Sequence, residues 1–132
     1  MYTQSGKPIV AISNGDPSGI GPEITLKAMT KAEVRDVAAP IVVGSPEVFE
    51  RDLALAGAPL KIRLLEKASD ATGDAGTVEI LPFDRLDLSQ CPRGEVSAEA
   101  GRYSGFSSPG RSSSAWRERF TRWSFRRTTS AP

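Results

Sequence analysis

Ile12-Ser-Asn-Gly-Asp-Pro-Ser-Gly-Ile-Gly-Pro-Glu-Ile24 is the stretch on which the fold turns. It grows out of Lys7-Pro-Ile-Val-Ala-Ile-Ser13, a short apolar run opened by Pro8. That run reads as a buried strand, with proline at the first position, where no ladder donor is lost. Asn14 to Gly21 is dense in turn formers. Pro22 suits the first helical position, because its missing N–H would be unpaired there anyway. Glu23 puts a negative charge in the first turn, where the helix dipole favours it. Ile24, Leu26, Ala28 and Met29 then predict a helix to about Thr30 or a little beyond. A strand passing through a glycine-rich turn into a helix is where open α/β sheets bind ligands, and where free backbone N–H groups favour anions. Gly15, Gly19 and Gly21 allow positive φ and close approach of a ligand. Asp16 can accept hydrogen bonds from a hydroxyl or an amide. The plain alternative is a tight turn that Asp16 caps.

Strands and helices alternate onward from this junction. Pro40 to Gly44 reads as a second strand. Ser45-Pro46-Glu47 restarts a helix, with serine as N-cap and proline at N1. Val48, Phe49, Leu53 and Leu55 supply its apolar positions, and Gly57 is a stop signal. Glu47 and Arg51 read as a solvated i,i+4 pair. Leu60 to Leu65 alternates loosely as a third strand, Ala68 to Gly76 is a polar loop, and Thr77 to Leu81 is a fourth strand ended by Pro82. Asp84 to Gly94 is irregular, and Glu95 to Ala100 opens another helix. This order predicts an α/β layered domain with a largely parallel sheet.

The chain has 132 residues, 39% hydrophobic and 25% charged, with a formal charge of +1. That suits one domain with a modest core. A single cysteine, Cys91, excludes an internal disulfide scaffold; it sits in a Gln-Cys-Pro loop without a nearby base and reads as a free cytosolic thiol. No stretch approaches the ~20 apolar residues of a membrane span. Met1 to Lys7 has no apolar signal-peptide region, so a cytoplasmic protein is expected. There is no histidine, so chemistry needing a histidine base or histidine metal ligands cannot run on this chain alone.

The loop's G-D-P-S-G-I-G-P-E resembles the N-terminal signature of the PdxA family, the 4-hydroxythreonine-4-phosphate dehydrogenases. Isocitrate and isopropylmalate dehydrogenases share a shorter G-D-G-I-G-P-E version. Gly94-Glu-Val-Ser-Ala-Glu-Ala-Gly-Arg-Tyr103 also looks like that family's next helix start. The Asn14-Gly15-Asp16 form leans toward the branch acting on 4-phosphorylated threonate or erythronate. The resemblance covers about residues 6–106. It implies an isocitrate/isopropylmalate dehydrogenase-like layered α/β fold, of which this is a truncated N-terminal portion. It implies an oxidoreductase that uses NAD to oxidise a small phosphorylated hydroxy acid, in the 4-hydroxythreonine branch a step of pyridoxine biosynthesis. It further implies a divalent metal polarising the reacting hydroxyl, loss of CO2 from a β-keto acid, and a homodimer. The family's three metal-binding histidines have no counterpart here, so no catalytic or metal residue is carried over. The residues carried over as cofactor-binding are Gly15, Asp16, Gly19, Gly21 and Glu23, whose role is to shape the cleft.

Charge splits along the chain. Residues 1–100 carry a net of −5, and residues 101–132 a net of +6, with seven Arg, one acid (Glu118), eight Ser and both Trp. That tail contains no Lys, Leu, Ile, Val or Met. Such a shift marks a boundary, placed here between 106 and 107. The tail can be a solvated basic segment, or an Arg/aromatic arm that neutralises phosphates and stacks on bases. It can also be an out-of-frame product, disordered and without its own fold. If each codon takes the last base of one codon here plus the first two of the next, Ser114 to Phe125 can encode L-G-L-A-G-E-I-H-A-L-V-V. Ser107 to Ser113 can likewise encode F-I-A-R-A-I-E, and Arg126 to Pro132 a segment ending N-K-R-A. That string reads as an amphipathic helix, a buried strand and a P-x-N-K segment, the order the PdxA-like family has next. Trp116, Phe120 and Trp123 stand at near-helical spacing but have no aliphatic partners, so the expected product is marginal and aggregation-prone, with apolar sheet surface left uncovered. The functions weighed are thus an inactive dehydrogenase fragment, an α/β module with a nucleic-acid arm, and a partner of a full-length dehydrogenase subunit.

Overall fold

A computed structural model describes residues 1–57, 59–83 and 85–107. The elements are β1 (Ile9–Ser13), α1 (Gly21–Met29), α2 (Ala32–Val37), β2 (Ala39–Gly44), α3 (Pro46–Ala56), β3 (Lys61–Leu64), β4 (Thr77–Pro82) and α4 (Ala98–Ser107). Single 3₁₀ turns lie at Ala68–Asp70 and Leu88–Gln90. The four strands form one parallel sheet in the order β1-β2-β4-β3. The α/β class and the parallel sheet expected from the sequence are both present. The boundary expected between 106 and 107 falls one residue before the end of α4; of the tail, residues 107–132, all but Ser107 lie outside the described residues.

Every residue of β2 is buried. On one face of the sheet Val42, Val78 and Ile80 pack against Leu26 and Met29 of α1, Val48 and Phe49 of α3, and Ala100 and Tyr103 of α4. Full burial of each such aliphatic or aromatic side chain contributes about 1.5–3 kcal/mol. On the other face Ile41 meets Leu65, Ala68 and Ala71, with Ile9 and Leu81 half-buried at the margin. The second cover is therefore the chain that follows β3, not a helix. Buried polar groups hold it in place. Glu79, wholly buried on β4, accepts from Thr72 N–H (2.9 Å), Thr72 Oγ1 (3.0 Å), Gly73 N–H (3.0 Å) and Arg63 Nη1 (2.8 Å). Arg35, also buried, donates to the carbonyls of Met29 (2.9 Å), Asp74 (2.9 Å) and Thr77 (2.8 Å). A buried charge is tolerable only when its partners replace water in this way.

Four local expectations need correction. A separate helix, α2, follows α1, because the chain between them extends at Lys31 (φ −78°, ψ 127°) before turning again. The last helix begins at Ala98 rather than Glu95. Gly94 has φ +76°, and Ser97 Oγ accepts the Ala100 N–H at 3.0 Å, so the cap sits three residues later. Ser45 occupies the N-cap position of α3, but its hydroxyl donates to Glu47 Oε2 (2.5 Å) and caps no helix N–H. Arg51 is not a solvated partner of Glu47. It turns inward to Asp52, Pro17 and Cys91.

Gly57 and Gly101 make a paired test of the helix ends. Gly57 terminates α3 at φ +64°, where a Cβ is strained; Gly57→Ala is expected to destabilise by about 1 kcal/mol. Gly101 lies within α4 with open space where a Cβ would go. Gly101→Ala is expected to stabilise by about 0.5–1 kcal/mol. Urea midpoints at constant m check both signs.

Candidate functional site

The turn after β1 lies at the carboxyl edge of the sheet, beside the end of β2. The Asn14 N–H donates to the Val43 carbonyl (3.3 Å), and Phe83 N–H after β4 donates to the Gly44 carbonyl (3.2 Å). Tyr103, brought in by α4, places its hydroxyl between these segments. It accepts from the Ser45 N–H and lies 3.5 Å from Asn14 Nδ2. Gly44 is required here by contact, not by φ. A Cβ would stand 2.7 Å from the Asn14 Cβ and 3.0 Å from the Tyr103 hydroxyl.

The turn itself is ordered by its own polar groups. Asp16 Oδ1 accepts the Ser18 N–H (2.8 Å), and the Gly19 N–H donates to the Asp16 carbonyl (3.2 Å). Asp16 is the exposed residue that caps the turn, and its second oxygen has no partner among the described residues. Gly15 takes φ +67°, as its type suggests, but Gly19 and Gly21 do not adopt positive φ. Ile20 precedes α1 without a side-chain cap bond, and Pro22 removes one orphan donor. Among the described residues' buried side-chain polar atoms, Asn14 Oδ1, Ser18 Oγ and Arg93 Nη1 have no hydrogen-bond partner. The first two belong to this turn.

An ionic network fixes the turn from beneath. Asp52, fully buried on α3, faces Arg51 Nε at 2.7 Å and Arg93 Nη1 at 3.1 Å. Arg51 also donates to the Pro17 carbonyl (2.5 Å) and the Cys91 carbonyl (3.2 Å). Arg93 reaches Glu23 Oε2 (3.0 Å), Glu23 holds Lys27 at 2.6 Å, and the Gly94 N–H donates to the Ser18 carbonyl (2.8 Å). The hydrogen bond from Lys27, then that from Arg93, lowers the Glu23 pKa below its ordinary 4.5. Its carboxylate is therefore a fixed structural charge. Two carboxylates, Asp16 and Glu23, flank the start of α1, so this helix end is a weaker anion seat than its glycines suggest; an exposed carboxylate there suits a hydroxyl or amide better.

The five residues singled out in the sequence thus share one turn. Gly15 and Asp16 lie on its outer part, Gly19 and Gly21 lead into α1, and Glu23 is engaged beneath. Asn14, Arg51, Asp52, Arg93 and Tyr103 complete the arrangement. Arg51 was obscured by its helical spacing from Glu47; Arg93 comes from a segment the sequence left irregular, and Tyr103 from the helix expected after it, where nothing in the spacing marks its hydroxyl as a partner of the turn. Among the described residues no group of three or more His, Cys, Asp and Glu could hold a metal. No helix there is long and apolar enough to cross a membrane.

This fold and turn define an α/β domain with a parallel sheet and a glycine-rich turn at the sheet's carboxyl edge. No family model matches the chain. A Halalkalibacterium halodurans protein assigned as a D-threonate 4-phosphate dehydrogenase is 40% identical over 96 residues, 73% of this chain and 29% of its own length. A Clostridium botulinum protein with the same assignment is 33% identical over 98 residues, 74% of this chain and 29% of its own length. Among solved structures, a 4-hydroxythreonine-4-phosphate dehydrogenase from Burkholderia phymatum superposes with a TM-score of 0.68 at 33% identity, over 74% of this chain and 29% of that one. Over the matched stretch the chain belongs to the PdxA family. It spans less than a third of the length of these relatives.

Gly44→Ala is expected to destabilise by about 1–3 kcal/mol, since Asn14 or Tyr103 must give way; thermal unfolding beside the wild type measures it. Glu23→Gln addresses pH. A carboxylate with a lowered folded pKa contributes stability that is fully present above its unfolded value and lost as pH falls through the folded one. Wild-type stability should therefore fall below about pH 4.5. Glu23→Gln should show a shallower fall, not a flat one, because the hydrogen-bonded carboxylates Asp74, Asp87 and Glu99 are lowered too.

Proposed function

We propose that this chain is the N-terminal portion of an NAD-dependent dehydrogenase of a 4-phosphorylated hydroxy acid, and that it does not turn over by itself. One observation carries the proposal: the G-D-P-S-G-I-G-P-E turn lies at the carboxyl edge of a parallel sheet in a chain matching only 29% of its dehydrogenase relatives. The substrate is 4-phospho-D-threonate or its erythronate counterpart, with 4-phosphohydroxy-L-threonine the other member of the class. The Asn14-Gly15-Asp16 form and the assignments of the curated relatives support the first. In the complete enzyme the isocitrate/isopropylmalate dehydrogenase-like layering extends this sheet, and the enzyme is cytoplasmic.

In that enzyme NAD, when bound, would supply a hydride acceptor for the substrate carbinol. What this chain contributes is a shaped wall. Gly15 leaves its surroundings open, with nothing within 4 Å of where a Cβ would stand. Asp16 offers its unengaged carboxylate oxygen to a hydroxyl or amide. Gly19 and Gly21 keep the approach to α1 free of side chains, and Glu23 fixes the start of that helix. A divalent metal does not fit the described residues, which lack a three-ligand cluster, and the chain has no histidine to supply one. The change of composition after Phe106 belongs to the same picture: residues 107–132 are the family's next helix and strand read out of frame.

Purified, sequence-verified chain is expected to give no rise in NADH absorbance with either phosphorylated substrate, with or without added Mg²⁺, Mn²⁺ or Zn²⁺. Measurable turnover would overturn the inactivity. Sequencing the coding DNA tests the tail: restoring one base near codon 106 should open a long frame encoding three well-separated histidines. A frame closed downstream removes the frame-shift explanation.

A further inference from the structure

The two edges of the sheet differ in kind. The β3 edge reads Lys61-Ile-Arg-Leu64, with charge at alternate positions and Pro59 just before it. Charges and prolines are the devices by which sheet edges avoid pairing with other chains. The β1 edge reads Ile9-Val-Ala-Ile-Ser13; Pro8 stands just before it too, but the strand itself carries no charge. Val10 is 46% exposed, and Ala11 and Ser13 are exposed too.

The backbone directions define what is on offer. Ala39 N–H donates to the Pro8 carbonyl and Asn14 N–H to the Val43 carbonyl, so even-numbered residues of this strand face β2. The odd-numbered ones therefore turn their N–H and C=O outward. Ile9 N–H is taken by the Met1 carbonyl at 2.9 Å, and Tyr2 bridges Pro8. Ala11 and Ser13 remain, with no outward partner among the described residues.

We propose that this edge pairs antiparallel with β1 of a second copy of the chain, about a two-fold axis at Ile12. In that register Ala11 faces Ser13 of the partner subunit, and Ser13 faces the partner's Ala11. Each such pair exchanges two N–H···O bonds, so the outward groups of Ala11 and Ser13 are satisfied. Ala11 and Ser13 are small and uncharged. Ile12 meets the partner's Ile12 as the closely spaced pair between them. The match is self-complementary and closes as a dimer. Pairing β3 with β3 about Ile62 would instead oppose Lys61 to Arg63 of the partner subunit, like charge to like charge.

Sedimentation of the full chain across the micromolar range tests this. The wild type should pass from monomer to dimer. Ala11→Pro removes only an outward N–H, and Ala11→Lys adds the charge this edge lacks; each should lose the dimer while keeping the wild-type far-UV circular dichroism. Lys61→Ala, on the opposite edge, should dimerise as before. Ile12→Cys should form a disulfide-linked dimer under mild air oxidation. A wild type that stays monomeric, a dimer that survives both Ala11 variants, or a larger open-ended assembly overturns the proposal. So does an Ile12→Cys dimer that fails to cross-link, and so does a monomer that binds only a longer dehydrogenase subunit.

Discussion

Burial of β2 on both faces is the condition that the rest of the molecule meets. A central parallel strand has no solvent side, so each of its six residues needs cover above and below. Helices α1, α3 and α4 supply one layer through an ordinary apolar core. The other layer is the irregular chain after β3, which has too few large side chains to hold itself. It is held instead by two buried charges. Glu79 gathers Thr72, Gly73 and Arg63, and Arg35 gathers the end of α1 with both ends of the turn before β4. The fold therefore joins a packed half to a hydrogen-bonded half across one sheet.

The same division explains the turn after β1. Its outer surface is small and open because glycine and Asp16 make it so, while its underside is fixed by Asp52, Arg51, Arg93 and Glu23. Those four residues come from α1, α3 and the segment before α4. The turn thus takes its position from elements distant in sequence, and α4 contributes Tyr103 at the junction with β2. A loop of such composition would otherwise be mobile; here its carbonyls at Pro17 and Ser18 are each bonded from below.

Much of this was legible in the chain. Pro8, Pro22, Pro46 and Gly57 mark the starts and the stop of β1, α1 and α3 through local chemistry that tertiary contacts did not override. The four strands and their parallel arrangement follow from apolar runs alternating with helical spacing. What was not legible depended on partners far away. Arg35 in a charged, alanine-containing stretch gives no sign that its head is buried between three carbonyls. Arg51 sits at i+4 from Glu47, the spacing of a surface pair, yet turns to Asp52 because that carboxylate is wholly buried. The helix expected at Glu95 begins at Ala98, since Gly94 and Ser97 set a cap that the apolar pattern does not reveal. In the candidate site the signature residues were found from the sequence, and the groups that hold them were not.

Cys91 lies in the segment that helps anchor the turn, fully buried, with its sulfur 3.9 Å from the Ser97 hydroxyl and its carbonyl accepting from Arg51. It is also the single thiol of the chain. A bulky thiol reagent can therefore react only when that segment lifts away from α3, and every molecule carries one such reporter at one known place. When reaction outpaces reclosing, its rate gives the opening rate; when reclosing is faster, it gives the population of the open form. The residue that invites no catalytic role thus makes the chain its own stopwatch for the loosening of the loop.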